Sequence, residues 1–226
     1  MHYFTDETFL FLRKLSRNNH REWFEQHKQD YEDVVRTPAL RFIADMQGDL
    51  AQLSQHFLAI PKKVGGSLMR VHRDVRFGRD KRPYKTNIGI QFRHEAGKDV
   101  HAPGFYLHIE PGECFLGGGV WRPDAPALGK IREAIVEKPD QWKKASDSGA
   151  FAKQFALGGE SLSRPPRGYL KDHPYIEDLK RKDFIALCAI PDDLITSATL
   201  RKQVMRQFAL AGPYVEFLCR ALALRY

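Results

Sequence analysis

Between Arg70 and Thr86 the chain reads RVHRDVRFGRDKRPYKT, seventeen residues that hold seven Lys or Arg, one His and two Asp. Like charges gathered so densely are costly unless an anion or distant carboxylates lie against them. Arginine outnumbers lysine five to two in this stretch. A guanidinium suits bidentate contact with phosphate or carboxylate, where lysine is the commoner choice for solubility alone. Arg73, Arg76, Arg79, Lys81, Arg82 and Lys85 could neutralise several phosphates, with Phe77 and Tyr84 stacking on bases. The same segment reads equally well as a solvated hairpin loop in which Asp74 and Asp80 pair with their arginine neighbours.

A second constellation comes from alternation. Four short runs, Ser67–Val71, Asn87–Phe92, Phe105–Ile109 and Glu113–Val120, carry apolar residues on one parity. Their other parity collects Arg70, His72, Gln91, Arg93, Tyr106, His108 and Glu110 beside Gly89, Gly117 and Gly119. Glycines in strands permit close approach, so this face predicts a shallow pocket floored by backbone, unless a helix packs there instead. In a pocket, Arg70 would hold an anionic group, His108 could act as acid or base with His72 as a further candidate, and Glu110 or Glu113 could orient it. His72, His108 and Glu110 are suitable metal ligands, but no HxH or HExxH pair anchors them, and no metal site or cofactor is expected. The triplet Gly117–Gly119 lacks the Lys-Ser/Thr of a phosphate loop, and no GxSxG elbow or Cys/His pairing supports a nucleophile.

The elements that position these residues follow from the change of period. Residues 1–56 read as helical: Thr5 caps a first helix with Phe9, Leu10, Leu12 and Leu15 at helical spacing, Asn19 caps a second, and Thr37-Pro38 opens a third running to Leu53. Residues 54–66 read as a loop. Residues 67–120 form the sheet, in which Pro111-Gly112 makes a hairpin of the third and fourth runs and the basic segment joins the first and second. Residues 124–226 are mainly helical, closing with a helix from Thr199 to about Leu224 that is broken or kinked near Gly212-Pro213. Phe184–Ile190 is a buried strand or a helix end. The loop before it, GGESLSRPPRGYLKDHP, is a second basic site, with Arg164 and Arg167 flanking two stiffening prolines. The predicted fold is α+β: one domain over 1–226, with a central antiparallel sheet of about four or five strands and helices from both ends of the chain on its apolar face.

Composition bounds the rest. A formal charge of +8 favours an anionic partner. Cys114, Cys188 and Cys219 are far apart and flanked by apolar residues, which reads as buried reduced thiols in a cytoplasmic protein. The opening MHYFTDETFLFLRKL has acids ahead of its apolar run and no signal-peptide pattern, and no stretch reaches membrane-spanning length.

Four phrases, NNHREWFEQH at 18–27, VHRDVRFGRDKRPYKTNIG at 71–89, HAPGFYLHIEPGECFLGGGVW at 101–121 and RPPRGYLKDHPYIEDLKRKDF at 164–184, resemble the bacterial and fungal family known as domain of unknown function 2461. The resemblance spans nearly the whole chain and implies one domain, but carries no reaction or catalytic residues. The functional expectation therefore rests on the residues. It is the binding of a phosphate-bearing or other anionic ligand on the polar sheet face, beneath the basic loop, by Arg70, His72, Arg73, Arg76, Arg82, Lys85, Arg93, Tyr106 and His108. A nucleic-acid-binding module built on 70–86 is the alternative, and a scaffold whose arginines serve internal salt bridges is a third.

Overall fold

The apolar parity of the central runs has to be covered, and in the computed structural model of the protein, which describes residues 1–76, 80–97 and 102–226, helices from both ends of the chain cover it. The amino-terminal part comprises α1 (Asp6–Arg17), α2 (Arg21–Gln26), α3 (Lys28–Tyr31), a π-helical turn (Glu32–Arg36) and α4 (Thr37–Leu53). Thr5 is the N-cap of α1, whose buried face is Phe9, Phe11, Leu12 and Leu15, leaving Leu10 exposed. The cap of α2 is His20, which accepts from the Trp23 N–H, and not Asn19. Asn19 instead brackets Tyr84: its Nδ2 donates to the Tyr84 carbonyl and its Oδ1 accepts the Tyr84 N–H, both at 3.0 Å.

Pro38 lies in continuous helix, so it begins α4 without breaking the chain from α3. Lacking an N–H, it cannot serve the Val34 carbonyl four residues back. The buried hydroxyl of Thr8 donates to that carbonyl at 2.8 Å, and the Thr37 N–H reaches five residues back to Glu32. The helix is thereby kept whole, at the expense of a widened turn.

The sheet has six strands: β1 (Phe57–Leu58), β2 (Ile88–His94), β3 (Gly104–Ile109), β4 (Phe115–Val120), then β5 (Ala156–Gly158) and β6 (Phe184–Ala189), in the order β1-β2-β3-β4-β6-β5 with every pairing antiparallel. That is slightly more than expected. The edge strand β1 falls in what the sequence presents as a loop. The run Ser67–Val71 is not a strand; it touches β2 through a single bridge, Leu68 to Ile90, flanked by Met69 N–H to Gly89 O at 2.9 Å and Gln91 N–H to Ser67 O at 2.8 Å. Because β1 already occupies the far end of β2, only a short length of edge is left for it.

After β4 come α5 (Ala125–Glu137), α6 (Pro139–Ser146) and α7 (Gly149–Ala152), then α8 (Ile176–Leu179), α9 (Asp192–Thr196) and α10 (Leu200–Ala221). The closing helix is one element that continues through Pro213. It lies on the apolar face, where Phe208 meets Phe105 and Phe92 at ring separations of 4.8 and 5.8 Å. A Cβ on Gly118 of β4 would come within 3.0 Å of Val215. The bare glycine lets helix and sheet approach this closely. Ile88, Ile90, Phe92, Phe105, Leu107, Ile109, Leu116 and Val120 are all buried, as their parity predicts. The three cysteines are free and buried, and desolvation pushes Cys114 and Cys219 up to about 12. Among the described residues no helix is long and apolar enough to cross a membrane.

Candidate functional site

On the opposite face the register aligns side chains in rows across the sheet. Gly89, His108 and Phe115 form one row, Gln91, Tyr106, Gly117 and Leu187 the next, and Gly104, Gly119 and Ile185 a third. A cavity of about 330 Å³ opens on these rows, walled by Phe115, Ile185 and Leu187 from the sheet and by Met69 and Trp121 from beyond it. That volume lies at the low end of small-molecule pockets. Its lining is overwhelmingly apolar, and its polar side chains are Gln91, Tyr106 and His108.

Those polar groups belong to a chain of hydrogen bonds. The Thr86 hydroxyl donates to Glu110 Oε1 at 2.7 Å, and Glu110 Oε2 lies 3.1 Å from His108 Nε2. An ionised carboxylate only accepts, so Nε2 carries the proton and Nδ1 is the acceptor. Two donors converge on Nδ1: the Tyr106 hydroxyl at 3.2 Å and Asn87 Nδ2 at 3.4 Å. The imidazole also stacks on Phe115, with ring centroids 4.5 Å apart and planes 10° from parallel. Burial, with the nearby Glu110 charge, pushes the Tyr106 phenol up to about 12, so it stays protonated at neutral pH. Of the two acids expected to orient His108, Glu110 does so; Glu113 is exposed and makes no side-chain contact with it.

The rim is fixed by a residue with no sequence signal. Asp183, almost fully buried, accepts the Arg122 N–H on Oδ1 and the Glu160 N–H on Oδ2, both at 2.8 Å. Arg122 has a φ of 50°, uncommon for a residue with a side chain, and its guanidinium lies 4.8 Å over the ring of Trp121. Gly119, with φ of 129°, passes β6 so closely that a Cβ there would lie 2.0 Å from the Phe184 carbonyl.

Among the described residues, none of the arginines of the segment 70–86 lines this cavity. The described parts of this segment, residues 71–76 and 80–85, pair as the two arms of a hairpin, with Arg73 N–H to Pro83 O at 2.8 Å and Lys85 N–H to Val71 O at 2.7 Å. Its acids hold its arginines: Arg76 grips Asp74 through Nε and Nη2 at 2.9 and 2.7 Å, while Asp80 takes Arg82 Nη2 at 2.7 Å and Arg73 Nη1 at 2.5 Å. These contacts, from Arg76 for Asp74 and from Arg82 then Arg73 for Asp80, hold both carboxyls well below the usual range. Lys81 is spent on the Val75 carbonyl at 2.9 Å.

Arg70 and His72 are exposed and absent from the cavity lining, contrary to their expected place on the sheet face; Met69 stands there instead, one residue out of register with the prediction. Tyr84, expected to stack on a base, is buried against Phe24 at 4.1 Å. Arg93 serves a separate hollow of about 190 Å³ near Gly66 and His94. Arg164 and Arg167 are exposed on the β5–α8 connection and line neither cavity. Phe77 and Arg79 lie outside the described residues. The Lys85 side chain is half-buried, its ammonium makes no hydrogen bond or ion pair among the described residues, and burial, then the neighbouring Arg70, lowers its pKa. Among the described residues no cluster of three or more metal-ligating side chains occurs.

Comparison with known proteins gives one match. The family model described as conserved hypothetical protein (DUF2461) matches residues 7–217. No curated protein and no solved structure matches the chain.

Proposed function

The chain belongs to the DUF2461 family of conserved hypothetical proteins, and we propose that its sheet cavity binds a small organic ligand as an anion. The ligand's apolar body lies against Phe115, Ile185, Leu187 and Trp121, and its charged oxygen meets the corner formed by Gln91, Tyr106 and His108. One observation carries this reading: an apolar cavity of about 330 Å³ gathers its polar side chains on three residues. The net charge of +8 favours an anionic ligand. An organic oxyanion suits the site better than a bare phosphate, because Arg73, Arg76 and Arg82 are occupied by Asp74 and Asp80. The same pairing takes support from a nucleic-acid stripe, which needs its cations turned to solvent.

Trp121 is 45% exposed at the cavity rim and makes a natural reporter. Titration with small aromatic carboxylates and phenols is expected to change its emission saturably, with W121F as the reference and inorganic phosphate without effect. If none of these organic anions gives a saturable change, the reading is wrong.

A further inference from the structure

Glu110, His108 and Tyr106 form more than a binding corner. The bonds run in one direction: Glu110 accepts from His108 Nε2, His108 Nδ1 accepts from the Tyr106 hydroxyl, and the Tyr106 ring borders the cavity. We infer that this chain is a proton relay, which gives the cavity acid–base chemistry toward weak oxygen acids and enolisable carbonyl compounds. This inference rests on the ligand-binding reading above.

The step is balanced within the site. The Tyr106 oxygen takes a proton from the ligand's O–H or activated C–H as its own proton passes to His108 Nδ1. The products are the ligand anion and an imidazolium, and no electron pair leaves the site. The new positive charge sits 3.1 Å from the Glu110 carboxylate, which steadies it. Return of the proton to another ligand atom would complete an isomerisation. Two features suit the relay to this work. The His108 side chain is only 13% exposed, and it is held flat against Phe115, so it can exchange protons without turning. The Tyr106 phenol, raised to about 12, remains the donor at neutral pH until a ligand draws its proton into the chain. Gln91, beside Tyr106 in the same row, has a side-chain amide with no partner among the described residues and can donate to an oxygen that gains charge. The alternative of an inert structural network would not require the chain to end at an apolar cavity.

Tyr106 and His108 are catalytic residues on this view, and Glu110 is a positioning residue that also sets the charge. Two probes of the same shape test it: 4-nitrophenol and nitrobenzene. The buffer is held below the phenol's own pKa, where free nitrophenol is mostly protonated and colourless. The wild-type protein is expected to bind nitrophenol as the yellow phenolate, with His108 moving in nitrogen NMR from the neutral Nε2–H tautomer to the imidazolium. Y106F and H108N should lose the phenolate band and bind nitrophenol about 10- to 100-fold more weakly, the loss expected for one hydrogen bond to a charged group. E110Q keeps an acceptor for Nε2–H but removes the charge, so it too should lose the band. E110Q, at a residue outside the cavity lining, should retain nitrobenzene affinity, which reports an intact cavity. If nitrobenzene binds and nitrophenol stays protonated in the wild-type protein, or E110Q keeps the full phenolate band, the relay is overturned while the ligand site stands. If neither probe binds, both readings fail together.

Discussion

A single buried carboxylate illustrates how the site is held. Asp183 satisfies two backbone donors from different segments, Arg122 and Glu160, and so determines where Trp121 stands. D183A should lower unfolding free energy by about 3 kcal/mol, because two buried N–H groups lose a charged acceptor; urea unfolding measures this, with a change in Trp121 emission in the folded state. The exposed acids of the hairpin predict a pH response instead. Asp74 and Asp80 have folded pKa values depressed by arginine contacts, so their stabilisation is present above the ordinary aspartate value of about 4 and is lost as pH falls through the depressed values. Acidification well below about pH 4, through those depressed values, should therefore release the Arg76 and Arg82 side chains, seen as loss of their Nε–H signals in NMR, with little change in the melting of the whole domain because the pairs are solvated.

Elements show where sequence was informative. The alternation of Ile88, Ile90 and Phe92 against Phe105, Leu107 and Ile109 identifies the core face and, by exclusion, the opposite face that holds Tyr106 and His108. In SLMRVH, apolar residues occupy both parities, so the pattern fitted two registers and the wrong one put Arg70 where Met69 stands. The three-residue β5 is too short to leave a period, and the continuous apolar run of β6 fits strand or helix equally. Ile185, Leu187 and Asp183 therefore leave no mark of their part in the site, whereas the pairing of Asp74 and Asp80 with neighbouring arginines is the solvated-loop reading of the basic segment. The join at Pro38 makes a prediction of its own. T8V leaves the Val34 carbonyl without its side-chain donor and should cost about 1–3 kcal/mol. P38A supplies a backbone N–H for the same carbonyl, so in a double-mutant cycle T8V should cost less in the P38A background; equal costs in both backgrounds would break the link between Thr8 and Pro38.

Across the whole molecule, the amino-terminal helices and the candidate site are connected through the basic hairpin. Asn19 clamps Tyr84, Thr86 two residues on holds Glu110, and Glu110 holds His108. N19A removes both bonds to Tyr84 and should make Lys81 and Lys85 more susceptible to trypsin, with cleavage rising severalfold before any global unfolding. Unchanged cleavage would mean that the stacking of Tyr84 on Phe24 anchors the hairpin unaided. The strand order also has a consequence for synthesis. β4 pairs on one side with β3, but its other neighbour, β6, begins at Phe184, and the sheet's apolar face waits for the helix Leu200–Ala221. On the ribosome, then, some sixty residues emerge after β4 before β6 can cover its edge, and the greasy underside of the sheet stays bare until the helix Leu200–Ala221 has emerged, which leaves the nascent chain open to chaperone capture over that interval.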